Sequence, residues 1–289
     1  MPTESPVKLI ECPRDAMQGL HDFIPTEVKA SYIQALLGVG FDTIDFGSFV
    51  SPKAIPQMRD TAAVLDRLNL DDTRTKLLAI VANRRGANDA SRFPQIDYLG
   101  YPFSISETFQ LRNTNATIEE SLGRIGEMLE ICDVSKKELV VYISMGFGNP
   151  YGDPWNVDVV QHWTGVLADM GVRIFQLSDT IGVSTPESIS YLFSDLIPRY
   201  PDLEIGAHLH TTPTTWREKI AAAYRAGCRR YDGAIRGFGG CPMAKDDLTG
   251  NMPTENLVLF FDEHEENDGV DYQSFLRCLD FSGQVFPVR

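Results

Sequence analysis

Short apolar segments alternate with longer amphipathic segments along the whole chain, and this alternation constrains the fold more than any other feature. Each apolar segment is rich in Val, Ile, Leu and aromatic residues. Eight occur: Val7–Cys12, Thr43–Phe46, Lys76–Val81, Ile96–Phe103, Leu139–Met145, Arg173–Leu177, Glu204–Leu209 and Arg229–Ile235. Such segments are typical of strands that are buried on both faces of a parallel sheet.

The segments between these strands carry helix signals. Thr117 and Glu120 have the spacing of a capping box, so we expect a helix from there to about Cys132. The other predicted helices are Thr26–Gly40, Asn156–Gly171, Thr185–Tyr200 and Thr214–Gly227. Three of them close on a glycine that is followed within a few residues by the next strand, as expected for a glycine C-cap.

The count of strand–helix units favours a closed barrel. Eight units in 289 residues fit a (β/α)8 TIM barrel, which has about 250 residues as one domain. An open doubly wound sheet is the alternative, but it usually carries a glycine-rich phosphate loop after its first strand. Here that position holds Pro13–Gln18, which has no glycine. We predict one α/β domain over 1–289, with the barrel at about 7–253 and a C-terminal helical extension at about 254–289.

Charge and composition narrow the possible partners. The net charge of −14 argues against nucleic acid and against an anionic membrane surface, since both bind clustered Lys and Arg. The first residues lack the apolar core of a secretion signal, and no apolar run approaches the ~20 residues that span a bilayer. The five cysteines are odd in number and form no C-x-x-C pair. Reduced thiols in the cytoplasm fit best.

Polar residues stand where the predicted strands end. In a TIM barrel these positions lie together at the C-terminal face, where catalytic groups are found. They are Arg14, Asp15, Asp45, Ser48, Asn83, Asp179, Thr180, His208 and His210, with Cys241 and Asn251 in the loop after the eighth strand.

His208 and His210 form an H-x-H pair. Residues i and i+2 of a strand point to one face, so both imidazoles can reach one ion inside the barrel. The alternative is two histidines that are satisfied by hydrogen bonds, and the pair alone does not decide between them. Asp15 at another strand end favours a metal site, although an ion pair with Arg14 is its alternative role. Two nitrogens with oxygen ligands suit Mg²⁺ or Mn²⁺ rather than a structural zinc.

A glycine-rich loop, Gly237–Pro242, follows the eighth strand. Its glycines permit positive φ and close approach of a ligand, but the spacing is not that of a dinucleotide-binding loop. Cys241 in this loop is either an exposed thiol near the site or a small residue in an ordinary turn.

At this point the chain resembles the metal-dependent carbon–carbon lyases that include 3-hydroxy-3-methylglutaryl-CoA lyase. The resemblance extends over almost the whole chain in the same order. The matching stretches are Pro13-Arg14-Asp15 with Gln18, Ser48-Phe49-Val50-Ser51-Pro52-Lys53, Pro56-Gln57-Met58, Ile118-Glu119-Glu120-Ser121, Ser178-Asp179-Thr180-Ile181-Gly182-Val183, His208-x-His210, Gly237-x-Gly239-Gly240-Cys241-Pro242, Gly250-Asn251 and Thr254-Glu255. The S-F-V-S-P-K and G-G-C-P stretches are specific to the lyase branch.

The resemblance implies an activity and a set of roles. It implies cleavage of 3-hydroxy-3-methylglutaryl-CoA to acetyl-CoA and acetoacetate, and it is compatible with a homodimer. It implies a divalent ion held by Asp15, His208, His210 and Asn251. It implies catalytic roles for Arg14, which polarises the thioester carbonyl, for Asp179, for the strand-end acid Asp45, and for Cys241 on a mobile loop. Gln18, Asn83 and Thr180 are its substrate-binding candidates.

The chain departs from the family pattern at several of these positions. Asp45 stands where the family has Glu, Ala16 and Met17 replace the middle of P-R-D-G-L-Q, His21 replaces a lysine, and Thr211, Thr212 and Pro213 follow H-x-H. Two alternatives to the lyase therefore stay open. One is a related aldolase or lyase for a different hydroxyacid, and the other is a metal-binding barrel that has lost catalysis.

Overall fold

The computed structural model describes residues 6–240, 249–266 and 269–286. Eight parallel strands close into a barrel in the order β1 to β8. Their bounds are β1 Lys8–Glu11, β2 Thr43–Ser48, β3 Lys76–Ile80, β4 Tyr98–Ser104, β5 Glu138–Ser144, β6 Ile174–Ser178, β7 Glu204–His208 and β8 Arg230–Gly233. The (β/α)8 barrel and all eight predicted strands are confirmed, with ends that shift by one or two residues.

Closure of the barrel joins its first and last strands. Lys8 pairs with Arg230 and Glu11 with Gly233, and the remaining strands pair with their neighbours in sequence. The strands are buried almost throughout because helices cover their outer faces and their own side chains fill the interior. All eight strand ends therefore meet at one end of the barrel.

Helices follow the strands on the outside. They are α1 Pro13–Gln18, α2 Thr26–Leu37, α3 Thr61–Leu65, α4 Arg84–Ser91, α5 Glu107–Thr114, α6 Ile118–Ser135, α7 Val157–Met170, α8 Pro186–Arg199, α9 Trp216–Arg225, α10 Thr254–Glu263 and α11 Tyr272–Val285. The predicted helices correspond to α2, α6, α7, α8 and α9. Thr117 and Glu120 form the expected capping box, and Gly171 closes α7 at a φ of 114°.

The pattern missed α1, α3, α4 and α5. These helices have five to eight residues, too few for an apolar period to emerge. In the extension, α11 packs against α2, where the Tyr32 ring lies edge-on to Phe281 and Phe286. Within the described ranges, no helix has the length and apolar character that crossing a bilayer requires.

Candidate active site

The strand ends open into one cavity, which we call the mouth. Arg14, Asp15, Gln18, Thr180, His208 and His210 line one part of it. The other part is mostly apolar and includes Val50, Ile55, Ile80, Pro102, Phe109 and Tyr142. The mouth thus combines charged and imidazole groups with apolar side chains.

Backbone pairing brings His210 and Asn251 together across 41 residues of sequence. The two residues form an antiparallel bridge just beyond β7. The Thr211 N–H donates to the Gly250 carbonyl at 3.0 Å, and the Met252 N–H donates to the Leu209 carbonyl at 3.0 Å. The rings of His208 and His210 lie with their centroids 5.5 Å apart, on the same side of the chain as the i, i+2 spacing requires.

Asp15 joins these residues from α1, which starts at Pro13 directly after β1. Its Oδ2 accepts a hydrogen bond from Asn251 Nδ2 at 2.6 Å. Its Oδ1 accepts from Arg14 Nη1 at 2.9 Å and from Gln18 Nε2 at 2.6 Å. The four residues for which the resemblance implies a metal therefore converge at the mouth.

Arg14 is held by two carboxylates. Its Nε and Nη2 donate to Asp45, with Nη2 at 2.5 Å from Oδ2, and its Nη1 donates to Asp15 and Gln18. Asp45 is completely buried behind Arg14, and burial raises the pKa of this carboxyl to about 6 although Arg14 opposes the shift. These contacts leave one N–H of Nη2 without a partner among the described residues. The guanidinium is therefore a fixed cation with one free hydrogen-bond donor.

Neighbouring charges set the protonation of the site. Burial opposes the charge of Asp15, but Arg14 and His208 hold the pKa of its carboxyl below the usual value. Burial and then His208 lower the pKa of His210 to about 4, so its imidazole is neutral at pH 7. Burial also acts against protonation of His208, yet its bond to Asp232 raises its pKa.

Two buried oxygens at the mouth, Tyr142 Oη and Asn251 Oδ1, lack a hydrogen bond among the described residues. The Asn251 amide donates through Nδ2 to Asp15 and to the Phe238 carbonyl, while its Oδ1 has no partner among the described residues. A buried polar atom without a partner is costly unless a water or an ion completes it. A neutral imidazole, an ionised carboxylate and this amide oxygen are ligands that suit a divalent cation. The residues present therefore fit a metal.

A second group of metal-ligand types lies behind His208. The ligand atoms of Cys12, His208 and Asp232 are within 4.8 Å of one another. Burial, and then the charge of Asp232, raise the pKa of the Cys12 thiol well above its usual value, and His208 Nδ1 already contacts Asp232 Oδ2 at 2.9 Å. We interpret this group as support for His208, since the bond to Asp232 orients the ring and leaves Nε2 for a ligand.

The other predicted site residues differ in whether they line the mouth. Both oxygens of Asp179 accept bonds from Ser184, and Oδ2 also accepts from Lys219, so Asp179 does not line the mouth. Asn83 caps α4 through a bond from the Gly86 N–H at 3.0 Å and lines a neighbouring cavity. Thr180 lines the mouth while its Oγ1 accepts from the Met145 N–H. Cys241 lies outside the described residues.

Sequence reasoning missed two residues of the site. Asp232 pairs in register with His208 across β7 and β8, and the Gln176 amide donates to its other oxygen. Tyr142 on β5 meets the His208 ring edge-on, with centroids 5.8 Å apart, and lines the mouth. A charged residue inside the apolar run Arg229–Ile235 was the available signal for Asp232. Tyr142 gave none, because a tyrosine in a buried strand is ordinary.

Comparison with known proteins gives one consistent result. A family model described as HMGL-like matches residues 7–281. The cytoplasmic 3-hydroxy-3-methylglutaryl-CoA lyase of Rattus norvegicus is 31% identical over 278 residues, which are 95% of this chain and 80% of that protein. A hydroxymethylglutaryl-CoA lyase of Bacillus subtilis is 30% identical over 281 residues, which are 96% and 93% of the two chains.

Solved structures agree with the sequence relatives. The chain is similar to the crystal structure of the Bacillus subtilis HMG-CoA lyase, with a TM-score of 0.91, 28% identity and coverage of 100% of this chain and 98% of that chain. It is also similar to an HMG-CoA lyase from Acinetobacter baumannii in complex with coenzyme A and 3-methylmalate, with a TM-score of 0.89, 27% identity and coverage of 96% and 90%. The carboxyl transferase domain of a Rhizobium etli pyruvate carboxylase, at 17% identity and a TM-score of 0.71, shares the fold.

Proposed function

Because the chain belongs to the HMGL-like family, we propose that it is a metal-dependent carbon–carbon lyase that cleaves 3-hydroxy-3-methylglutaryl-CoA to acetyl-CoA and acetoacetate. The observation that carries the proposal is the convergence of Asp15, His208, His210 and Asn251 beside Arg14 at one cavity. Fold alone would not support a particular reaction, since TIM barrels carry many chemistries.

The proposed cofactor is Mg²⁺ or Mn²⁺, held by Asp15, His208, His210 and Asn251. One carboxylate and one amide oxygen with two imidazoles favour these ions over a thiolate-bound zinc. When bound, the ion supplies Lewis-acid stabilisation of an alkoxide at neutral pH. The chain keeps Asp15 ionised and His210 neutral, as metal ligands must be, since the pKa of Asp15 is lowered and that of His210 is about 4.

Arg14 is the proposed stabiliser of the thioester enolate. Cleavage of the carbon–carbon bond leaves an electron pair that collects on the thioester oxygen, and a fixed cation at that oxygen lowers the barrier. Asp45 and Asp15 hold the guanidinium in one orientation, and its free Nη2 N–H is the donor for the oxygen. The chain therefore does not have to reorganise as the charge develops.

The mouth also fits an acyl-CoA ester because both polar and apolar side chains line it. The bound ion and Arg14 suit the hydroxyl, carboxylate and thioester groups of the substrate. The lining side chains Phe109, Tyr142 and Val50 suit its methyl and methylene groups. The relative from Acinetobacter baumannii was solved with coenzyme A and 3-methylmalate, a ligand set of the same chemistry.

The residue at position 45 favours a second candidate function, which is cleavage of a different hydroxyacid by a lyase of the same family. The side chain of Asp45 is one methylene shorter than the Glu of the family pattern, and it orients Arg14 directly. A displacement of about 1 Å at a reacting group can change a rate by on the order of a hundredfold. The substrate could therefore differ in the length between its hydroxyl and thioester.

The proposed compartment is the cytoplasm. The four cysteines within the described residues are free and buried, which suits a reducing environment. The rat relative is named as cytoplasmic, whereas a 32% identical relative from Arabidopsis thaliana is named as mitochondrial.

A steady-state assay tests the proposal. Manganese-loaded protein is mixed with 3-hydroxy-3-methylglutaryl-CoA, and acetyl-CoA release is followed through a coupled enzyme. We expect turnover that needs the ion and that falls by about 10²–10³-fold in Arg14→Met. Turnover that is absent with this ester but present with another hydroxyacyl-CoA would favour the second candidate, and no turnover with either would contradict both. Asp45→Glu is the matched variant, expected to gain rate if its length alone limits the reaction.

A further inference from the structure

We propose that Lys219 and Asp179 form a positioning pair for the ligand His210, an inference that rests on the proposed metal site. Lys219 belongs to α9, and Asp179 follows β6. Their side chains are 4% and 0% exposed, and Lys219 Nζ lies 2.8 Å from Asp179 Oδ2. The pair lies beside the mouth without lining it.

Lys219 connects the pair directly to the backbone of His210. Its Nζ donates to the His210 carbonyl oxygen at 2.8 Å. The N–H on the other side of that peptide, from Thr211, donates to the Gly250 carbonyl at 3.0 Å. The peptide between residues 210 and 211 is therefore held at both its oxygen and its nitrogen, and this fixes the direction in which the His210 ring leaves the backbone.

Asp179 completes the arrangement from the neighbouring loop. Its Oδ1 accepts from the Ser184 N–H at 3.0 Å and its Oδ2 from the Ser184 Oγ at 2.5 Å. With Lys219, these bonds use both oxygens of the carboxylate. Asp179 consequently acts through Lys219 and the loop 179–184, and not on a reacting group.

The cost of burying two charges supports a role beyond stability. A buried ion pair contributes little to the free energy of unfolding compared with apolar side chains of the same size. Groups that orient metal ligands, in contrast, typically change metal affinity by 10–100-fold when they are removed. The direct bond from Lys219 to the His210 carbonyl is the contact through which such a change would arise.

The test measures Mn²⁺ affinity by titration calorimetry in the absence of any acyl-CoA. Lys219→Met keeps the unbranched apolar part of the side chain and removes the ammonium group with its charge and donors, and we expect affinity to fall by about 10–100-fold. Arg217→Met is the matched control on the same helix. Arg217 is exposed and pairs with Glu263, so its loss should leave affinity unchanged.

A double variant separates positioning from stability. Lys219→Met alone leaves the Asp179 charge buried and unpaired, whereas Asp179→Asn with Lys219→Met removes both charges. If the pair positions His210, the double variant regains thermal stability but keeps the weak Mn²⁺ affinity, because the His210 carbonyl still lacks its donor. Wild-type affinity in the double variant would overturn the inference, and so would affinity within about twofold of wild type in a folded Lys219→Met protein. A negative lyase assay would leave these outcomes intact, since no turnover is measured.

Discussion

The two ends of the barrel both carry clusters of charged residues, but they differ in what those residues leave unsatisfied. At the end opposite the mouth, which we call the base, Lys8, Asp42, Glu204 and Arg230 lie where strands begin. Each oxygen of Glu204 meets its own cation, Lys8 at 2.6 Å and Arg230 at 2.9 Å. The atoms left without a partner among the described residues of this cluster are donors, Arg230 Nε and Nη2. Burial opposes ionisation of Glu204, but Arg230 and Lys8 hold the pKa of its carboxyl below the usual value.

At the mouth, by comparison, the groups without a partner include an acceptor. Asn251 Oδ1 is buried without a partner among the described residues, and Arg14 keeps one N–H free. His210 is buried and neutral beside a second imidazole. An acceptor oxygen and a neutral imidazole can bind a cation, whereas the nitrogens of a guanidinium cannot. The comparison therefore assigns cation binding to the mouth and not to the base.

The sharpest way to break this comparison is to remove a ligand from the mouth. His210→Ala removes a direct metal ligand. Removal of groups that only orient ligands typically changes metal affinity by about 10–100-fold, so we expect Mn²⁺ affinity to fall by at least about 100-fold. The metal-free variant should remain folded. Calorimetric titration measures the affinity, and His162→Ala, on the outside of α7, is the control. Unchanged Mn²⁺ binding in His210→Ala would remove the mouth as the metal site.

The fixed cation of the mouth can be tested separately from the ion. Arg14→Met should lower kcat by about 10²–10³-fold, the usual effect of removing a donor to a developing oxyanion. Mn²⁺ affinity should change much less, since Arg14 is not a ligand. Kinetics with manganese-saturated protein give the first quantity and calorimetry the second. Equal loss of both would mean that Arg14 only organises Asp15.

The protonation of the mouth predicts a loss of stability at higher pH than at the base, where the lowered pKa of Glu204 places the loss below about pH 4.5. The pKa of His210 is about 4 in the folded chain and about 6.5 in the unfolded chain, so the unfolded state binds the extra proton between these values. The stability contributed by His210 is therefore complete above pH 6.5 and is lost as pH falls towards 4, by up to about 3 kcal/mol. The difference in unfolding free energy between metal-free wild type and His210→Gln, measured by denaturant titration from pH 4 to 7, should show this slope. A difference that does not vary with pH would contradict it.

The smallest effect is expected at the base. Lys8→Met removes a half-exposed partner of Glu204, and Arg230 remains to hold that carboxylate. The free energy of unfolding should fall by less than about 1 kcal/mol, as for other ion pairs near the surface. Thermal unfolding checks this loss of stability. The Mn²⁺ affinity should stay unchanged, which calorimetric titration checks. Any large loss of metal affinity in Lys8→Met would show that the base and the mouth are coupled through the barrel interior.

The repeat of strands was readable from the sequence because barrel strands are buried on both faces and must be apolar. The positions of Arg14, Asp15, His208 and His210 could be predicted for the same reason, since a polar residue that ends an apolar run lies at the same end of the barrel as the mouth. Asp179 and Asn83 also lie at that end, but they turn away from the cavity. Helices α1, α3, α4 and α5 could not, because one or two turns give no period. The role of Asp45 in holding Arg14 was likewise hidden, since a strand-end acid has no visible partner in one dimension.

By itself, the sequence determined the barrel and placed Arg14, Asp15, His208 and His210 at its mouth, because hydrophobic periodicity depends only on which side chains must be buried. The tertiary structure decided which of them touch. It paired His210 with Asn251, set Asp232 behind His208, and turned Asp179 towards Lys219 and away from the cavity. These contacts join residues between 24 and 41 positions apart. They depend on strand register and loop direction, which the closure of the whole sheet sets and no local pattern records.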